Sequence, residues 1–195
     1  MLRVHEDEVI RRRTNVSELR NYSDARPFLE EDFHYLCGYC GKNQNVMHQK
    51  FQIDHFVPKS LDKGREKDYS NLVLACKKCN LSKSDKWPTA DIAKSNDGEV
   101  GFVDPATAQF DEHLERNEKG YIVSRTSVGK YMCDALHFDI RRTDIYWKCT
   151  TLKRQLREME KLFKCGELTP EEKDIYINMN ILFQEYIDEA FQKGE

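Results

Sequence analysis

Four of the seven cysteines form two pairs of identical spacing, Cys37-Gly-Tyr-Cys40 and Cys76-Lys-Lys-Cys79. Each Cys-x-x-Cys is a tight turn that aims two sulfurs at one point. Two such knuckles make the four-thiolate set of a tetrahedral zinc site. Four thiolates leave no open coordination position, so this zinc is structural rather than catalytic. Two disulfides suit neither the odd cysteine total nor a reducing compartment, and a redox pair would explain one knuckle only. The knuckles are 35 residues apart, more than the roughly 15–20 of a simple zinc ribbon. The insert between them carries the remaining chemistry, centred on Asp54-His55 and followed, just past the second knuckle, by Asn80.

The elements that must position these groups are short. Phe51-Gln-Ile-Asp-His55 alternates as a strand that ends in the polar pair, and Pro58 stops it. After a charged loop, Asn71-Leu-Val-Leu-Ala75 reads as a second strand running directly into Cys76. Asn80-Leu-Ser-Lys-Ser-Asp-Lys-Trp87 reads as a helix ended by Pro88. The order is strand, loop, strand, helix, with zinc pinning both flanks. Asp54 and Asn80 are expected to converge, one from a strand end and the other from a helix face.

With those residues in order, Ile53-Asp54-His55-Phe56-Val57-Pro58-Lys59-Ser60 and Asn71 through Lys83, the segment resembles the HNH endonucleases. One letter departs from the usual pattern, since the third motif position is Asn80 rather than His. The resemblance implies a ββα-metal core and hydrolysis of DNA phosphodiesters to 5′-phosphate and 3′-hydroxyl ends. It implies His55 as general base, because imidazole titrates near neutral pH and can take a proton from water. Asp54 and Asn80 would hold a catalytic Mg²⁺ or Mn²⁺ as hard oxygen donors. Asn71 would hold the loop bearing His55 through backbone hydrogen bonds or, as in some members, approach the metal. Lys59 and Lys83 would contact the phosphates of the nucleic acid.

The rest of the chain reads as support. The 195 residues are 39% hydrophobic and 33% charged, with a formal net charge of −3. Residues 37–87 hold ten Lys/Arg against five Asp/Glu, whereas 88–124 hold three against eight. The basic block suits a local anionic partner. No apolar run is long enough to span a membrane and no apolar leader is visible, so a cytoplasmic protein is expected. Three parts are expected: a 1–36 arm and packing helix, a 37–88 nuclease core, and an 89–195 extension. Phe28, Leu29, Phe33 and Leu36 define the packing face of the first part. Arg11-Arg12-Arg13 reads as a solvated cluster, with a DNA-contacting arm as the alternative.

The extension opens with a hairpin, Leu114 to Val123 around Asn117-Glu-Lys-Gly120, and closes with two amphipathic helices near 141–165 and 169–191. Gly166 stops the first of these, and Thr169-Pro-Glu-Glu172 is a capping box opening the second. Cys133, Cys149 and Cys165 are expected to be buried or half-buried thiols, and the five histidines other than His55 fit no ligand spacing. The fold class is α+β. The closing helices are expected either to pack as an internal hairpin or to offer a face to a second copy or to a partner such as an ATPase. In the partner reading the nuclease works only inside a larger assembly of the antiviral-defence kind. The remaining rival is a zinc-stabilised nucleic-acid-binding module without catalysis.

Overall fold

The computed structural model describes residues 2–89 and 91–192. Two antiparallel two-stranded ribbons and six helices make a mixed α+β architecture. The central unit is β1 (Gln52–His55) paired with β2 (Leu72–Ala75), followed by α2 (Lys77–Lys83). Ahead of it lies α1 (Arg26–Asp32), entered through a 3-10 turn at Tyr22–Ala25. Behind it come α3 (Phe110–His113), the ribbon β3 (Leu114–Arg116) with β4 (Ile122–Ser124), and α4 (Ser127–Leu136). Two long helices, α5 (Thr143–Cys165) and α6 (Pro170–Gln192), pack against each other.

The β1–β2 register sets Asp54 opposite Val73 and His55 opposite Leu72. All four residues of β2 are buried, as expected for a strand covered on both faces. The first knuckle docks on this ribbon through the Gly38 amide, which donates to the Leu74 carbonyl at 2.8 Å. Gly41 closes the knuckle at φ +68, and a Cβ there would stand 2.4 Å from the Val4 carbonyl oxygen, so the turn requires glycine.

Helix α2 begins three residues earlier than its apolar pattern suggests and ends earlier. Cys76 is its N-cap and Cys79 sits in its first turn. The second knuckle is thus the start of the helix, and Ser84 stops it by turning to φ +48. Asn80 is accordingly inside the helix and does not cap it. The packing helix expected within the 1–36 part is likewise a 3-10 turn and a short α-helix. On it Leu29 and Phe33 are fully buried, whereas Phe28 is 36% exposed beneath the Arg13 guanidinium. The Thr169–Glu172 capping box is present in both directions, and Gly166 ends α5 at φ +73.

One apolar core runs from Val4 through the two Cys-x-x-Cys knuckles and both faces of β2 to Phe138. The buried Arg116 guanidinium ties the parts together by donating to the carbonyls of Val4, Gly120, Thr143 and Cys40 at 2.7–3.1 Å. A smaller cluster holds α5 to α6 around Ile145, Cys149, Leu152, Leu156 and Phe183. Among the described residues no helix is long and apolar enough to cross a membrane.

Candidate active site and metal centre

The sulfurs of Cys37, Cys40, Cys76 and Cys79 lie within 4.8 Å of one another, all buried. Sγ of Cys40 and Sγ of Cys76 are 3.8 Å apart. Tetrahedral Zn–S bonds of about 2.3 Å require sulfur separations of about 3.8 Å, so the four thiols fit a zinc ion. Burial raises the pKa of Cys37 and Cys79, and a cation and a backbone amide stand against it. The Arg141 guanidinium donates to Cys79 Sγ at 3.0 Å and to Cys76 Sγ at 3.5 Å. Burial opposes the charge on Arg141, and the facing sulfurs more than offset it, holding the group cationic. The Cys76 amide also donates to Cys37 Sγ.

Asp54, His55 and Asn80 line one cleft of about 450 Å³ with Tyr22, Lys59, Ser60 and Asp85. His55 ends β1, and its Nε2 lies 2.9 Å from the Glu66 carbonyl oxygen. A carbonyl only accepts, so Nε2 carries the hydrogen and Nδ1 keeps the free lone pair. Burial is the largest influence on the imidazole and lowers its pKa, with Lys59 adding to the effect against the Glu66 carbonyl and Asp54. The ring is therefore neutral near pH 7. The Tyr22 ring meets it edge-on at 5.0 Å between centroids.

Asn71 organises the loop around that histidine. Its Oδ1 accepts from the Val57 amide at 2.8 Å, and its Nδ2 donates to the carbonyls of Val57 at 3.1 Å and Arg65 at 3.3 Å. Its own carbonyl accepts from Phe56. One 1% exposed carboxamide thus holds both the chain leaving His55 and the loop that offers Glu66.

Asp54 is 5% exposed. Its Oδ2 accepts from the Tyr39 hydroxyl at 2.5 Å and lies 3.4 Å from Lys83 Nζ. Burial raises the Asp54 pKa, and the Lys83 ammonium and Tyr39 hydroxyl oppose that rise. Oδ1 has no hydrogen bond among the described residues. Asn80 donates from Nδ2 to Gln52 Oε1 at 2.8 Å, which leaves its carbonyl oxygen available. Asp54 and Asn80 each carry an oxygen donor of the kind that suits Mg²⁺ or Mn²⁺, and both residues line the cleft with His55.

Lys83 corrects the sequence expectation. It was expected to reach phosphates from the same helical face as Asn80, yet it is 0% exposed. Its Nζ donates to the His55 carbonyl at 3.0 Å between the rings of Phe56 and Phe102. The helix starts at the knuckle, and this turns position 83 into the core. Lys59 stays half exposed beside Glu66. The arginine cluster is not an arm either: Arg12 binds Asp104 and the Leu72 carbonyl, and Arg13 binds Asp32 and Glu31. Of the other thiols, Cys149 is buried and Cys133 half-buried, while Cys165 is exposed at the last position of α5.

Tyr39, Glu66, Gln52, Tyr22 and Arg141 were not singled out from sequence. Tyr39 sits between the cysteines of the first knuckle and could have been read from that position. Arg141 is 62 residues from Cys79, and nothing in the sequence near it points to sulfur.

One ββα unit thus carries four clustered cysteines and a cleft lined by His55, Asp54 and Asn80. Residues 37–86 match the family model of the HNH endonucleases. The match supports a nuclease-type function acting on nucleic acid. No curated protein matches the chain.

Proposed function

We propose that the protein is a metal-dependent DNA endonuclease whose general base is His55. The observation that supports this best is the imidazole with Nε2–H committed to the Glu66 carbonyl, leaving Nδ1 to accept a proton inside the cleft that Asp54 and Asn80 line. Asp54 through Oδ1 and Asn80 through its carbonyl oxygen would hold a Mg²⁺ or Mn²⁺ ion. When bound, that ion supplies Lewis acidity at the phosphate and charge for the departing oxygen. His55 takes the proton of the attacking water at Nδ1 as the new P–O bond forms and the P–O3′ bond breaks. The products are a 5′-phosphate and a 3′-hydroxyl. Asn71 keeps the His55 loop in register, and Lys59 contacts a neighbouring phosphate in place of Glu66. Zinc at the four cysteines is structural and takes no part in these steps.

The test is relaxation of supercoiled plasmid at low salt with Mg²⁺ or Mn²⁺, using zinc-loaded wild type and His55→Ala. Loss of a general base costs about 10²–10⁴ in rate, so wild type should nick and the variant should fall by at least the lower figure. Equal cutting by both, or none by either folded protein, overturns the proposal.

A further inference from the structure

Helix α6 is apolar on more sides than α5 can cover. Tyr176, Met179, Phe183, Tyr186, Ile187 and Ala190 turn inward to the α5–α6 cluster. On the outer side, Ile177 and Ile181, one turn apart, are 55% and 54% exposed, and Ile175 and Leu182, two turns apart, are 51% and 38% exposed. Leu162 and Phe163 of α5 add 42% and 48% at the same end of the hairpin. Exposed apolar rows of this kind on the sides turned away from α5 mark an interaction surface.

The charges say what the second neighbour carries. Helix α6 holds six acidic residues against one lysine, and α5 holds six basic against three acidic. The outer apolar rows of α6 are framed by Asp174, Glu185 and Asp188, which excludes a nucleic acid and asks for a basic, helical surface. The chain carries basic residues of its own on the exposed side of α5: Arg157, with Arg154, Lys161 and Lys164 that also pair within the chain with Glu6 and Asp7, Glu158 and Glu160. Each helix spans about 34 Å at 1.5 Å per residue, and two side by side present a footprint of about 700 Å². That is close to the roughly 800 Å² per partner of a stable interface.

We infer that α5 and α6 form the dimer interface of this protein, the hairpin of one copy closing an antiparallel four-helix bundle with that of a second, α6 of each against α5 of the other. A two-fold interface of this kind is self-complementary, because each protomer supplies one acidic and one basic helix.

The full chain should sediment in analytical ultracentrifugation at twice its 23.1 kDa mass. Ile177→Glu combined with Ile181→Glu, at exposed positions, should halve the mass while circular dichroism and zinc content stay as in wild type. Should that variant misfold, Ile175→Glu with Leu182→Glu tests the adjoining row. A monomeric wild type overturns the inference, and so does a folded variant that remains dimeric. The readout is mass alone, so it stands or falls separately from nuclease activity.

Discussion

Lys83 Nζ lies 3.4 Å from Asp54 Oδ2, and neither side chain is more than 6% exposed. Burial pushes both groups toward their neutral forms, and the attraction between them opposes it. The carboxylate is held on one oxygen by Lys83 and Tyr39, and the same ammonium holds the His55 carbonyl. Lys83 therefore positions two adjacent residues of the cleft.

Lys83→Met shortens the side chain by one atom and removes its charge, leaving Asp54 with Tyr39. Removing one partner of a buried pair costs about 3–5 kcal/mol, and loss of an outer-shell support typically lowers metal affinity or activity by about 10–100-fold. Urea denaturation and plasmid cleavage on the same preparation should show both effects. Wild-type stability in this variant would contradict the pairing.

The depressed pKa of His55 sets the acid side of the activity profile. A base works unprotonated, so activity falls as pH drops through its pKa. Because burial lowers that pKa, the acid limb should lie below the ordinary histidine value of about 6.5. Single-turnover cleavage rates against pH check this, and a limb at or above that value counts against the assignment.

Arg141 offsets the negative charge of four thiolates. Arg141→Met should weaken zinc retention by about 10–100-fold, read as faster release to a chromogenic chelator. The same release rate in variant and wild type would mean that the contacts to Cys76 and Cys79 carry no charge stabilisation.

His5 is buried, and its Nε2 lies 2.7 Å from the Gly38 carbonyl oxygen. Its pKa is lowered to about 3, chiefly by burial. Unfolded, it binds a proton below about 6.5, so the unfolded state gains protons first and stability drops as pH falls from there toward 3. The loss is about 1.4 kcal/mol per pH unit, or about 2 kcal/mol near pH 5. His5→Gln can still donate to Gly38 without titrating, so the difference in unfolding free energy between the two proteins should shrink with that slope. A constant difference across that range would show that His5 titrates alike in both states.

The four-cysteine cluster, the α+β class, both ribbons and the closing helices were legible because each rests on local chemistry. Cysteine spacing, alternation over four residues, a capping box and a glycine stop are all read within one turn or strand. The order Asp54, His55, Asn71, Asn80 was legible for the same reason. What the linear pattern did not contain was direction. Whether position 83 meets solvent or core depends on where α2 starts, and that is set by the second knuckle closing on the first. The Tyr39 and Lys83 hold on Asp54 and the Arg141 approach to the sulfurs join residues 15, 29 and more than 60 positions apart. The Glu66 carbonyl is a backbone group, with no residue type to announce it. The sequence by itself determined which groups are present and the local elements that carry them. Only the tertiary structure decided which of them are buried together, because burial and charge pairing arise from packing between distant segments and from no single segment alone.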